Sequence, residues 1–372
     1  MSFKIVACDL KTGARAGILK TAHGEVRTPA FMPVATKGSV KSVSPEELGR
    51  IGAEAIISNA LHLHMRPGEK NLEDAGGLHK FMRWDGTIFA DSGGFQIIRE
   101  ALNIRITEEG LYFRDYHNGD QHLYTPELCM DVNQALGSDI AMLLDDCPMY
   151  DASLERICQA AERTVRWARR GIEQGRKLGL PKIFAITQGG TNFELRKWCT
   201  EKLLDLKPDG FGIGGLSIGE PKPQMMKILD ETMRLLPQDS PRYLMGVGSV
   251  NEILDSIALG VDVFDSVFPT QCGRHGTVFV KEGRYNMKGQ KLESDHRPLE
   301  EGCKCMVCKT FTRSYVNHLL RESELLGMRL VSIHNLYFLL DLVCQARAAI
   351  LDGTFEEFRK ERSLKDLETV RV

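Results

Sequence analysis

An α/β chain closing into a (β/α)8 barrel, the TIM-barrel architecture, is predicted by three observations. Eight short apolar segments recur along the 372 residues, helical stretches separate most of them, and polar residues gather where the apolar segments end. Parallel strands covered on both faces read as near-continuous apolar runs, and these segments do.

The elements follow in order. Strands are expected over 28–35, 54–59, 87–91, 139–145, 182–188, 210–215, 242–247 and 261–265, and helices over segments such as 153–178 and 192–206. The stretch 104–124, with Asn118-Gly119 as a tight-turn pair, reads as a hairpin-like insertion after the third strand. Asn59, Asp91, Asp145, Gln188, Gly215, Gly246 and Asp265 sit at or just beyond the C-terminal ends of their strands. A barrel brings those ends to one mouth, where active sites lie. A single aspartate after a strand usually serves as a helix cap. Three carboxylates, an amide and paired glycines at successive strand ends exceed what capping requires. A doubly wound open sheet would concentrate such groups at one switch point instead of distributing them.

Composition narrows the class. With 42% hydrophobic residues and this length the chain can bury a large core. Apart from one trio, the ten cysteines are scattered without a paired framework, which suits a reducing, cytoplasmic setting. The start Met1-Ser-Phe-Lys is unlike a signal peptide, and no apolar run is expected to approach a membrane span. A net charge of −2 excludes a globally basic nucleic-acid binder but not a local patch. Arg274, Lys281, Arg284, Lys288 and Lys291 face a single acid, Glu282, and Lys304, Lys309, Arg313 and Arg321 are expected to meet no acid at all. A solvated basic face is the ordinary explanation of such charges. Their asymmetry on a mildly acidic chain points towards a phosphate backbone.

Cys303, Cys305 and Cys308 crowd into one turn, and His334 is the next strong ligand candidate. Thiolates this close repel unless a cation neutralises them, and a Cys3His set suits tetrahedral Zn2+. Four ligands leave no open position, so the expected zinc is structural and the chemistry lies elsewhere.

At the mouth there is no glycine-rich phosphate fingerprint, no Ser-His-Asp arrangement and no open histidine metal site. Carboxylate chemistry is left. An aspartate can attack an anomeric carbon while a second carboxyl group moves protons to and from the leaving group. Asp145, Gln188 and the backbone of Gly215-Leu216 suit the edges of a flat heterocycle, and Phe95 and Met245 its two faces. These residues suggest N-glycosyl transfer on a base.

Asp91-Ser-Gly-Gly-Phe-Gln96, Gln188-Gly189, Gly214-Gly-Leu-Ser-Ile-Gly-Glu220, Tyr243-Leu-Met-Gly-Val-Gly248, Phe264-Asp265 and the cysteine trio with His334 resemble the queuine tRNA-ribosyltransferase (tRNA-guanine transglycosylase) family, bacterial type. The motifs run in order over nearly the whole chain, from Arg27 to beyond His334. The resemblance implies a single barrel domain over 1–372 with a zinc-binding subdomain, 295–340, inserted near its end. It also implies a homodimer that exchanges guanine at the wobble position of tRNA for a 7-deazaguanine, in queuosine biosynthesis. By the same resemblance Asp265 is the nucleophile at the ribose C1′ and Asp91 the general acid/base, with Ser92, Gly93, Gly94 and Phe95 lining the base pocket. Asp145, Gln188 and Gly215 would recognise the base, Leu216 would offer its carbonyl to the incoming amine, and Met245 would cover the ring. Gly246, Val247, Gly248, Ser249, Val250, Asn251 and Glu252, with Thr270, Gln271, Cys272, Gly273 and Arg274, would hold RNA.

The chain departs from the family pattern in places. Gln271 stands where an arginine is expected after Pro269-Thr270, which removes a cation beside the anticodon. Asn59-Ala-Leu-His-Leu63 replaces Asn-Thr-Tyr-His-Leu, and Phe95 replaces a tyrosine. Cys147 and Ile218 keep side chains where queuine-using members open the pocket, which favours the smaller preQ1, while Phe95 leans the other way. Other readings stay open: a queuine-inserting enzyme, an archaeal-type enzyme placing preQ0 at position 15, a non-catalytic tRNA-binding subunit, and a zinc-stabilised carbohydrate hydrolase. The short stretch after His334 speaks against added archaeal RNA-binding domains. The presence of Asp91 and Asp265 speaks against an inactive subunit, and the basic zinc region against a hydrolase.

Overall fold

The computed structural model describes residues 3–94, 104–115 and 119–363. The chain opens on an antiparallel sheet, β1 (Phe3–Cys8), β2 (Arg15–Thr21) and β3 (Gly24–Thr28). Eight parallel strands follow: β4 (Ala30–Pro33), β5 (Ala55–Asn59), β6 (Thr87–Asp91), then, after an insertion, β10 (Ile140–Met142), β11 (Ile183–Thr187), β12 (Gly210–Ile213), β13 (Arg242–Leu244) and β14 (Val263–Ser266). Their lateral order, β4-β14-β13-β12-β11-β10-β6-β5, is that of a barrel. Val34 bridges Ile57 in parallel, and the Ala35 N–H donates to the Ile57 carbonyl at 2.7 Å, which draws the two edges together.

The predicted α/β barrel is therefore present, with one correction at its start. The segment 28–35 is not one strand: Thr28 ends β3, and β4 begins at Ala30. Below the barrel, Phe3, Leu19 and Val26 from the opening sheet join Met32, Ile57, Phe89, Met142, Phe184, Ile186 and Tyr243 in one buried cluster. The sheet thus supplies the floor of the barrel's packed interior. Arg15 secures it: Nε donates to Asp262 Oδ1 at 2.9 Å, both groups being buried.

The helix Leu154–Leu178 shows why the local sequence sufficed. Ser153 caps it by accepting from the Arg156 N–H, Gly179 ends it in the left-handed region (φ 74°), and Ala161, Val165, Ala168 and Ile172 form a buried stripe. The expected insertion follows β6, and its described part is a three-stranded antiparallel sheet: β7 (Arg105–Ile106), β8 (Leu111–Arg114) and β9 (Gln121–Tyr124). Asn118 lies outside the described residues. Arg166 and Arg163 bond the Glu108 carboxylate, and Trp167 Nε1 donates to the Glu108 carbonyl at 2.9 Å, fastening the insertion to that helix.

After the barrel come a hairpin, β15 (Thr277–Val280) and β16 (Gly283–Asn286), the helices Met306–Thr310 and Arg313–Arg321, and the 27-residue helix Leu325–Leu351. That last helix is long and apolar enough to cross a bilayer, contrary to the expectation that no run approaches a span. Most of it is buried, packed on the helix Phe268–His275 and on β4 and β15. Gly273 permits this crossing, since a Cβ there would sit 2.7 Å from the Ser332 backbone nitrogen.

Candidate active site

Strand ends place the polar residues. Asn59 and Asp91 are last in the neighbouring strands β5 and β6, in register, and Asn59 Nδ2 donates to Asp91 Oδ2 at 3.4 Å. The turn after Asp91 is forced close: Gly93 has φ 87°, and a Cβ there would stand 2.6 Å from Asn59 Oδ1. Gly94 is equally confined by the Asp145 carbonyl, 2.9 Å from its absent Cβ. Ser92 is buried and its hydroxyl donates to Asp145 Oδ1 at 3.5 Å. Phe95 lies outside the described residues.

Beyond β10 and β11, Gln188 Nε2 donates to Asp145 Oδ2 at 2.6 Å, while among the described residues its buried Oε1 has no partner. Gly215 (φ 64°) brings its backbone against that amide, and a Cβ there would meet Gln188 Oε1 at 2.5 Å. A carboxylate, an amide with an acceptor unused among the described residues and the buried backbone of Gly214-Gly215 thus converge, which is a donor–acceptor edge for a planar heterocycle. The Leu216 side chain is buried; Met245 is half-buried, its sulfur 3.3 Å from where a Gly212 Cβ would be. Cys147 is buried beside Gln188 and Gly215, and burial pushes its thiol up to about 12.

On β14, Asp265 Oδ1 accepts from the Tyr243 hydroxyl at 2.6 Å and from the Gly246 N–H at 2.8 Å. Burial raises its carboxyl above the ordinary range while these two donors oppose the rise. Burial, then the charges of Asp145 and Asp265, push Asp91 up to about 7, against backbone N–H groups of Ser92 and Gly93. Asp145 is pushed up to about 6 by burial, with the Gln188 amide opposing. Three carboxyl groups share one mouth, and one of them is poised near neutrality. That is the environment a general acid/base requires.

The stretches expected to hold RNA are divided. Gly246 faces the mouth, but Val247 is buried and Gly248 packs on Ser266, whose Cβ would lie 2.5 Å from its own. Ser249 stands at the N-cap position of the helix Val250–Ala258 without a side-chain capping bond, Asn251 lies on that helix, and Glu252 pairs with Lys222 at 2.8 Å. Thr270 and Gly273 turn inward, Cys272 and Arg274 are half-buried, and Gln271 is exposed. The basic patch needs a correction. Arg313 bonds Asp295 at 3.0 Å and Arg321 bonds Glu293 at 3.1 Å, so acids just upstream neutralise two of its cations.

Cys303, Cys305, Cys308 and His334 do come together, with every ligand atom within 4.8 Å of the others. The sulfurs lie 3.9, 3.5 and 3.3 Å from His334 Nδ1. A tetrahedral shell with ordinary Zn–S and Zn–N bonds sets that separation at roughly 3.5 Å. His334 Nε2 donates to the Phe279 carbonyl at 2.8 Å, which leaves Nδ1 as the ligating nitrogen. The group can hold a metal ion. A second candidate set, His23, His79 and Asp139, lies at the opposite end of the barrel. Its imidazoles are stacked 3.5 Å apart and 18° from parallel, so their lone pairs cannot converge on one ion, and the set is a hydrogen-bonded pin.

Two residues at this site lay outside the sequence-predicted set. Tyr243 stood inside a quoted motif without a role. Arg196 carried a signal of its own, a charge on the stripe shared with Cys199, Thr200 and Leu203 that the helix Phe193–Leu204 buries.

The queuine tRNA-ribosyltransferase family profile matches residues 8–366. A queuine tRNA-ribosyltransferase of Thermoanaerobacter pseudethanolicus is 45% identical over 361 residues, covering 97% of this chain and 96% of the relative. One from Dictyoglomus turgidum is 46% identical over 97% of this chain and 94% of its own. One from Bacillus subtilis is 48% identical over 94% of this chain and 92% of its own. With matches of this length and identity laid over the barrel just described, the chain belongs to the queuine tRNA-ribosyltransferase family of pentosyltransferases.

Proposed function

We propose that this enzyme exchanges guanine at the wobble position of tRNA for a 7-deazaguanine, preQ1, through a covalent Asp265–ribose intermediate. The observation that carries the reading is the facing pair at the mouth. Asp265 is held by Tyr243 and Gly246, and Asp91 is kept near half-protonation at neutral pH by burial and by Asp145 and Asp265. With Oδ1 occupied by two donors, the attack is assigned to Oδ2. The C1′–Oδ2 bond forms as the C1′–N9 bond breaks, and protonated Asp91 delivers its proton to the leaving guanine. Asp91, now a carboxylate, takes a proton from the incoming base, whose nitrogen displaces Asp265 from C1′.

The Asp145–Gln188–Gly215 edge supports recognition of the base, and the buried Cys147 supports a small pocket. The Cys3His group supports one structural zinc in a subdomain over 295–340. A closed shell of that kind holds the fold and offers no position to substrate. Exposed Lys304 and Lys309 beside it supply cations for RNA. The family resemblance supports a homodimer, and the scattered cysteines support a reducing, cytoplasmic setting.

Incubating the protein with unfractionated tRNA and radiolabelled guanine, then mapping the label, tests the reading. Label at position 34 is expected, with a denaturant-stable protein–RNA adduct when free base is limiting. Asp265→Asn should bind tRNA yet form no adduct and exchange no base. Label at position 15, or a mutant that keeps a tenth of the activity, would overturn it.

A further inference from the structure

Arg196 is wholly buried, and among the described residues no carboxylate stands within ion-pair reach of it. Of the other buried arginines, Arg15 pairs with Asp262 and Arg313 with Asp295, while the Arg242 side chain bonds the Leu236 and Pro237 carbonyls. Among the described residues the hydrogen bonds of the Arg196 guanidinium go to backbone carbonyls and one hydroxyl. Nη2 donates to the Gly190 carbonyl at 2.8 Å and to the Gly214 carbonyl at 3.0 Å; Nε donates to Gly190 at 3.1 Å. Nη1 reaches the Thr187 carbonyl at 3.5 Å and hydroxyl at 3.4 Å.

A buried cation without a counter-ion is unfavourable unless hydrogen bonds offset its desolvation. Here the three carbonyls supply those bonds. Thr187 and Gly190 bracket Gln188 at the end of β11, while Gly214 precedes Gly215 at the end of β12. Two of the three residues that form the heterocycle edge, Gln188 and Gly215, are therefore tied to a single planar fork. Neighbouring contacts tighten the tie. A Cβ on Gly189 would sit 2.5 Å from the Arg196 backbone nitrogen, and the Gln188 N–H reaches Cys199 Sγ at 3.5 Å.

We propose that Arg196 is a positioning residue for the base pocket: its guanidinium bridges the ends of β11 and β12 and so sets the distance between the Gln188 amide and the Gly215 backbone. The inference rests on the proposed base exchange, since it assigns a cause to the shape of that site. Burial lowers the side chain to about 10, which still leaves it charged at neutral pH. The fork geometry matters more than the charge, because an ammonium is a point donor and cannot span carbonyls of two strands in one plane.

Arg196→Lys and Arg196→Met test it, with equilibrium dialysis of radiolabelled guanine and steady-state exchange measured on the full chain. Both variants should keep zinc and tRNA affinity while guanine binds at least tenfold more weakly and its KM rises to match. Lysine should not rescue. A merely structural residue would instead lower the active fraction, reducing kcat with KM unchanged. Wild-type guanine affinity in either folded variant overturns the inference. Failure of both variants to fold also overturns it, since Arg196 would then serve the fold as a whole. Guanine binding without exchange in the wild type would sink the proposed function and leave Arg196 standing. Exchange with unaltered affinity in the variants would sink Arg196 alone, and a wild type that neither binds nor exchanges guanine would sink both.

Discussion

Tyr243 and Asp265 stand 22 residues apart on adjacent strands, and the tyrosine hydroxyl donates to Asp265 Oδ1 at 2.6 Å from a fully buried ring. Burial raises the phenol well above its ordinary range, so it stays a donor throughout the working pH range. The bond orients the carboxylate and favours its ionised form, which the proposed attack needs.

Tyr243→Phe should therefore lower kcat by about 10- to 100-fold, the span that a lost hydrogen bond to a charged group allows. The KM for guanine should hardly move. The acid limb of the rate profile should shift to higher pH, because losing a donor raises the Asp265 carboxyl further. Steady-state exchange from pH 5 to 9 checks both, and an unchanged acid limb would deny Tyr243 this role.

Asp91 links function to stability with a definite sign. Its folded value, about 7, lies above the ordinary carboxyl value, so the native state binds the extra proton between those limits. Stability from this group is full below the unfolded value and is lost as pH rises through about 7. Asp91→Asn should then melt several degrees above the wild type at pH 8, with the difference shrinking towards pH 4, while exchange is abolished. Melting curves across that range would refute the burial argument if the gap were constant.

Metal removal should act on the fold. Cys305→Ala breaks a group in which the three sulfurs and His334 Nδ1 lie within 4.8 Å of one another. About one zinc per chain should be lost, with a lower melting temperature and weaker tRNA binding, and no separate defect in chemistry. Metal analysis beside calorimetry decides it; full zinc in that variant would remove Cys305 from the shell.

Base choice should depend on the pocket wall. Ile218 is half-buried, its N–H bonded to Glu220 at 3.0 Å, and Cys147 is buried beside Gln188. Ile218→Gly should improve queuine use more than preQ1 use, because it removes a clash and adds no contact. Competition of guanine, preQ1 and queuine for wild type and variant measures this. Efficient queuine insertion by the wild type would overturn the pocket reading alone.

The sequence by itself determined what lies in local order. The buried runs of β5 and β11, the caps at Ser153 and Gly179, the aspartates at strand ends and the spacing of three cysteines are all short-range patterns, fixed by side-chain period and covalent geometry. The opening sheet carried a signal too, since β1 alternates between buried and solvent-facing residues. Such alternation is not a continuous apolar run, and Thr28 adjoins the apolar run of the next strand in sequence although it ends β3. Tertiary structure decided everything that depends on which distant groups meet. Arg313 and Arg321 looked unpaired until the fold set Asp295 and Glu293 beside them. The donors on Asp265, the neutral-range carboxyl of Asp91 and the fork of Arg196 under Gln188 and Gly215 likewise exist only once the strands close. The physical reason is range. Helix period and metal spacing act over a few residues, whereas desolvation and carboxylate coupling are set by whatever the barrel brings within a few ångströms.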